Sequence, residues 1–185
     1  MERNKQYIIF FVIIGFLLIL AFILVTAPSS FALNETRATP KDAWQSIPFT
    51  DVKTGNSQTL EDLSKKPVII QAFTVTCPIC TRQQEEINRL QEEQGVEPFT
   101  FVALDIDPSE RDDAIRAHVE RNGFRGIYAA SPPDLTRALY DEFGPDIITP
   151  SSAPVILLCP GGQKTKLPAG IKSATFLKEA LETNC

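Results

Sequence analysis

Pro67-Val68-Ile69-Ile70-Gln71-Ala72-Phe73, followed within a few residues by Cys77-Pro78-Ile79-Cys80 and then by Thr81-Arg82-Gln83-Gln84-Glu85-Glu86-Ile87-Asn88-Arg89-Leu90-Gln91, is the stretch on which the reading of this chain turns. The first run is apolar, short and bounded by lysines and proline, which predicts a buried strand. The last run predicts a helix. Cys77 therefore falls where a strand becomes a helix N-terminus. Unpaired N–H groups and the positive end of the helix dipole stabilise a thiolate there and lower its pKa. Two cysteines two residues apart can close a small disulfide ring and reopen it with little motion. A thiolate at Cys77 would attack a disulfide, and Cys80 would resolve the mixed disulfide. A CxxC on a strand–helix junction reads as a redox motif.

Two simpler readings compete with it. Zinc usually takes four ligands, often from paired CxxC motifs or a CxxC with two histidines. The chain holds only Cys159, Cys185 and His118 beyond the motif, and none of them makes a second close pair, so no metal site is assigned. An inert Cys77–Cys80 staple is the other. His118 sits mid-helix, far in sequence from the motif, and reads as a surface or partly packed residue.

The 185 residues leave room for one domain and an appendage. The appendage is N-terminal. Tyr7–Val25 (YIIFFVIIGFLLILAFILV) has no charge, and at about 1.5 Å per residue it can cross about 30 Å of hydrocarbon. A secretory signal has a shorter apolar core. Ser30-Phe31-Ala32 could pass as a cleavage site, but an uncleaved anchor is favoured. Arg3 and Lys5 lie close on one side of this run. Arg37 and Lys41 lie farther off on the other, near Glu35 and Asp42. This basic excess slightly favours residues 1–6 inside and the domain outside, and four cysteines suit an oxidising compartment. Asn34-Glu35-Thr36 is a glycosylation sequon, relevant only in a host that glycosylates. Residues 26–43 read as a tether and 44–185 as the globular domain. The formal net charge is −5, all of the acidic excess lies beyond residue 6, and there is no basic patch, so nucleic acid is not an expected partner.

Within 44–185 a Gly55-Asn56 turn predicts a short hairpin, and Thr59–Leu63 a single helical turn. Gly95 ends the redox helix. Phe99–Asp105 is a strand. Asp107-Pro108-Ser109 opens a helix carrying Ala114, Ile115, His118 and Val119. Gly126–Ala129 is a strand and Leu135–Phe143 a helix ended by Gly144. After a loop rich in proline and serine, Pro154–Cys159 is apolar throughout, as a strand covered on both faces should be. Pro160-Gly161-Gly162 turns the chain into a return strand at Thr165–Leu167. Ser173 caps a last helix bearing Phe176, Leu177, Ala180 and Leu181. The class is α/β.

The order strand–CxxC–helix–strand–helix, then proline–strand–turn–strand–helix, resembles the thioredoxin superfamily, and the extra unit at 107–129 is similar to its TlpA-like or redoxin branch. The marks are Cys77-Pro78-Ile79-Cys80 and Ala153-Pro154-Val155-Ile156-Leu157-Leu158 followed by Gly161-Gly162. The resemblance implies a thioredoxin-like fold, with a mixed central sheet flanked by helices. It also implies a membrane-anchored, extracytoplasmic protein thiol–disulfide oxidoreductase, catalytic through Cys77 and Cys80. Pro154 matches the family's cis-proline, which faces the redox pair and lines the substrate groove; Ala153, Pro78 and Ile79 would complete that groove. The cysteine pair is the redox carrier, so no cofactor is implied. Partners would be client proteins with thiols or disulfides, such as apocytochromes, and an upstream redox donor or acceptor. Two departures stand out. Gln71 occupies the place of a buried aspartate, and Thr76 that of a tryptophan common before the first cysteine. Copper-delivering relatives use CxxxC and a histidine, one residue longer than the spacing here. A thiol-based metal chaperone and a non-catalytic binding module are the alternatives.

The topology implied by the resemblance carries one further expectation. The strand from Pro154 leads away from the redox site, roughly 16 Å by Cys159. The last helix runs the same way for roughly 15 Å from Ser173. Cys159 and Cys185 would then meet at the far pole, where they can form a structural disulfide; the alternative is a small buried core thiol at Cys159 and a frayed terminus at Cys185.

Overall fold

A computed structural model describes residues 43–185. The readings of 1–6, of an anchor at 7–25 and of all but the end of the tether lie outside the described residues. Among the described residues no helix is long and apolar enough to cross a membrane.

The chain enters through a short 3-10 turn, Ala43–Ser46, and a two-stranded ribbon, β1 (Phe49–Thr50) and β2 (Ser57–Gln58). Helix α1 (Leu60–Leu63) follows. Its N-cap Thr59 and Asp62 satisfy each other's backbone N–H groups, a reciprocal capping box. A five-stranded sheet forms the centre, in the order β5-β4-β3-β6-β7. Its members are β3 (Val68–Phe73), β4 (Thr100–Asp105), β5 (Ile127–Ala130), β6 (Val155–Leu158) and β7 (Lys164–Lys166). β3, β4 and β5 run parallel, and β6 and β7 are antiparallel to their neighbours. The long helices are α2 (Pro78–Gln94), α3 (Asp112–Asn122), α4 (Pro133–Phe143) and α5 (Ala174–Asn184).

Every residue of β3 is buried. Side chains alternate across a strand, so β3 feeds two cores. Ile69 and Phe73 pack with Ile87 and Leu90 of α2, Ile115 and Val119 of α3, and Leu177 of α5. Val68, Ile70 and Ala72 pack with Leu135 and Leu139 of α4, and with Trp44, Leu60 and Ile147. Gln71 shares the parity of Ile69 and Phe73 and so looks toward α2. At Gly126 a Cβ would meet Phe101 atoms at 2.9 Å and φ is +96°, so glycine alone allows β5 to enter beside β4.

Three expectations need correction. The helix opened by Asp107 begins instead at Asp112. Asp107 Oδ1 accepts from the N–H and Oγ of Ser109, at 2.8 and 2.6 Å, and this side-chain turn displaces the helical one. The loop before Pro154 holds two 3-10 turns, Pro145–Ile148 and Pro150–Ser152. The bond before Pro154 is trans, since the described residues contain no cis peptide; the chain reverses there through Ala153 in the left-handed region (φ 48°, ψ 58°).

Candidate redox site

The site stands where the parallel strands end. β3 stops at Phe73, the loop Thr74–Thr76 crosses the sheet edge, and Cys77 is the N-cap of α2. Its backbone is extended (φ −90°, ψ 107°), and its Sγ accepts from the Cys80 N–H at 3.2 Å. A sulfur thus takes the place of a capping oxygen, facing the helix's unpaired N–H groups. Pro78 at the first helical position has no N–H to lose. Cys77 and Cys80 are disulfide-bonded, with Cα atoms 5.3 Å apart. Cys77 is half-buried and Pro78 exposed. Cys80 is 0% exposed, and its sulfur lies 3.2 Å from the Pro150 carbonyl oxygen. One sulfur can meet a large partner; the other can be reached only from Cys77.

Gln71 is buried and donates from Nε2 to the Cys80 carbonyl at 3.2 Å. It holds the first turn of α2 and cannot exchange a proton with either sulfur. Ala153 and Pro154 are buried. The Ala153 N–H donates to Pro150 and its carbonyl accepts from Lys172 Nζ, so both of its backbone groups are already engaged. Ile79, inside the motif, is half-buried.

His118 is a correction. It is 2% exposed, neither a surface nor a partly packed residue. Its ring stacks on Phe73, and its Nε2 lies 2.8 Å from Gln84 Oε1 of the redox helix. The fold brings it next to the motif: His118, Arg121 and Asn122 share an open cleft of about 370 Å³ with Thr76, Pro78 and Thr81. Burial, then Arg121, hold its pKa below the usual histidine value. A neutral ring with the proton on Nε2 satisfies Gln84 and leaves Nδ1 to face the Asn122 amide at 3.4 Å.

Other polar groups near the site went unnoticed in the sequence. Gln83, Gln84 and Gln91 occupy the buried face of α2 with Cys80, Ile87 and Leu90. The spacing is the helical period; only the residue type hides it. Gln83 donates to the Lys172 carbonyl and accepts from the Lys172 N–H, at 3.0 and 2.7 Å. Lys172 Nζ in turn holds the Ala153 and Pro168 carbonyls, and burial pushes its pKa down to about 8. Asp105, at the end of β4 and paired in register with Phe73, is 2% exposed. Burial, then the neighbouring Glu110 carboxyl, push its pKa up to about 8. An acid raised in this way favours folding fully below its unfolded value of 3.8, and that contribution is lost as the pH climbs through about 8.

At the opposite pole Cys159 follows β6 and Cys185 caps α5. They are disulfide-bonded, with Cα atoms 5.1 Å apart. Leu158 pairs with Val68, the first residue of β3, whereas Cys77 follows the last. The two bridges are therefore separated by the length of β3, roughly 20 Å.

A family model described as Redoxin matches residues 39–156. The chain belongs to the Redoxin family. Solved structures agree on the fold. A thiol:disulfide interchange protein of the thioredoxin family from Chlorobium tepidum is similar, with a TM-score of 0.63 and 17% identity, over 75% of this chain and 92% of that one. A secreted Mycobacterium tuberculosis disulfide oxidoreductase, homologous to E. coli DsbE, gives 0.59 and 15%, over 77% and 98%. A putative electron transfer protein from Aquifex aeolicus gives 0.59 and 22%, over 80% and 96%. No curated protein sequence matches this chain significantly. Family and fold together are those of the thioredoxin superfamily, redoxin branch.

Proposed function

We propose that this Redoxin-family chain is a protein thiol–disulfide oxidoreductase, anchored by Tyr7–Val25 and working on the extracytoplasmic side of a membrane. The observation that carries the chemistry is the asymmetry of the pair. Cys77 is half-buried at a helix N-terminus, where its sulfur accepts an N–H, and Cys80 is sealed one turn deeper. The structural neighbours that are a thiol:disulfide interchange protein and a disulfide oxidoreductase support the same reading.

The reaction follows from the geometry. In the reduced protein the Cys77 thiolate attacks one sulfur of a client disulfide, and the client's other sulfur leaves as a thiolate. Cys80 then gives up its proton and attacks the Cys77 sulfur. The Cys77–Cys80 bond closes, the second client sulfur leaves, and two electrons have passed to the client. The reverse sequence oxidises a client dithiol. Thr76, Pro78 and Ile79 form the surface around the attacking sulfur and would meet the client first. Pro154, being buried, would support this surface through Ala153 and Pro150. The anchor and its orientation rest on the uncharged 19-residue run and the flanking Arg3 and Lys5.

One experiment tests chemistry and location together. Expressed in cells, Cys80→Ser should accumulate as reducible mixed disulfides through Cys77, because the resolving thiol is gone. These adducts should sediment with the membrane fraction, form with clients outside the cytoplasm, and be released when residues 1–26 are deleted. Adducts confined to cytosolic clients would overturn the location. Adducts through Cys159 or Cys185, with none at Cys77, would overturn the chemistry.

A further inference from the structure

Asp105 has an unsolved hydrogen-bonding problem. Its Oδ1 accepts from the Asp107 N–H at 2.9 Å. Its Oδ2 is buried, and among the described residues no N–H or O–H donor bonds to it. Buried carboxylate oxygens are almost always met by a donor. The neighbouring group is a second carboxyl, that of Glu110, which with burial raises the Asp105 pKa. Two carboxylates cannot satisfy each other, but one proton between them gives both a partner. The other oxygen of interest, Glu110 Oε2, accepts from the Val75 N–H at 2.7 Å. Val75 lies two residues before Cys77, in a loop whose next anchor is the Cys77 N–H to Thr74 carbonyl bond at 3.1 Å.

We propose that Glu110 is a positioning residue for Cys77: joined to Asp105 through a single shared proton, its carboxyl grips the Val75 N–H and so fixes the loop that aims the attacking sulfur. The proposal rests on Cys77 being the attacking thiol. Loss of the shared proton leaves two negative charges side by side in a buried site. Their repulsion drives the half-buried Glu110 outward, because Asp105 is fixed at the end of β4. The Val75 N–H then loses its acceptor, and the loop is held only at Thr74 and Cys77. Asp105 is pushed up to about 8 by burial and by Glu110, so the grip loosens on the alkaline side of neutrality. The surrounding charges are few. Asp107 lies in the same turn and raises Asp105 further. From α3 come His118, which feels the Glu110 charge, and Arg121 beyond it. Arg82 of α2 lines the adjoining cleft. β3 brings Phe73 and the Val75 backbone, and β5 leads into the Ser131 N–H, which donates to the Asp105 carbonyl.

The test uses the full chain, labelled with 15N-valine and kept oxidised so that neither active-site sulfur titrates. Between pH 6 and 10 the Val75 amide should shift with one inflection near 8. Glu110→Gln replaces the shared proton with a permanent N–H donor to Asp105 while its carbonyl still faces Val75, so the inflection should vanish. Asp105→Asn should remove it from the other side. In Glu110→Ala the Val75 amide should exchange with solvent roughly tenfold faster or more. A flat Val75 titration in the unaltered chain, or an inflection that survives Glu110→Gln, would overturn the proposal; the latter would point to a group such as Lys172. In the reduced chain, iodoacetamide mapping of Glu110→Ala should show Cys77 labelling slowed several-fold, and an unchanged rate overturns the positioning role. If Cys80 labels first in the unaltered chain, the assignment of the attacking thiol falls instead, whatever Val75 does.

Discussion

Cys77→Ser should abolish reduction of a protein disulfide such as that of insulin, with a loss of about a thousandfold or more, as expected when a covalent nucleophile is removed. A serine hydroxyl at the same helix N-terminus is neither ionised near neutral pH nor able to carry electrons in a disulfide. The fold should survive, because Cys77 contributes its sulfur to a ring of only a few residues and its main packing partners belong to a core that remains whole. Cys80→Ser should also lose turnover, but by a different route: the first attack still occurs and the adduct persists. Turbidity of reduced insulin measures both variants, and circular dichroism confirms that they are folded. Retention of more than about a tenth of the activity by Cys77→Ser would mean that another group carries the chemistry.

Removing the second bridge should do the reverse, costing stability and leaving the chemistry alone. Cys159 and Cys185 are 26 residues apart. Closing a loop of that length restricts the unfolded chain by about 3.5 kcal/mol. The bridge ties the end of α5 to the end of β6, and Leu177 and Ala180 of that helix cover the core face next to Ile87 and Leu90. A Cys159→Ala/Cys185→Ala double variant should therefore lower the urea midpoint, and local opening of α5 should rise with it. The potential of the Cys77–Cys80 pair should not move, since the bridges lie at opposite ends of β3. An unchanged midpoint would show that the bridge adds nothing to the fold. A changed potential would show that the two poles are coupled.

The parts of this fold that were legible in the sequence are those in which residue type and period agree. β3 is apolar at every position but Gln71 and is buried at every position, so its run shows in composition alone. The strand–CxxC–helix junction and the ends at Gly95 and Gly144 depend on local backbone rules, and these act without tertiary help. What stayed hidden depends on groups far apart in sequence. Gln83 and Gln84 look like a solvated face until Lys172 and His118 arrive to pair with them. His118 looks like a lone surface histidine until Phe73 and Phe124 close over it. Asp107 is a fair helix opener by type, yet its bonds to Ser109 and the turn of Glu110 toward Val75 delay the helix to Asp112. Pro154 stands at the entry to β6, as the run Pro154–Cys159 predicts. Its trans bond and the left-handed Ala153 reflect the Pro150–Ser152 turn and the Lys172 contact, neither of which a local pattern announces.

The proposed chemistry requires Cys77–Cys80 to be a working redox couple and not a staple. Its equilibrium reduction potential, read by trapping the protein in graded dithiothreitol or glutathione buffers and counting alkylated Cys77 and Cys80, tests this most directly. A single two-electron transition is expected within the range of about −270 to −120 mV that exchange-active pairs occupy. Cys159–Cys185 should remain oxidised in the same buffers. A Cys77–Cys80 pair that stays closed below about −300 mV, as structural bridges do, would contradict it.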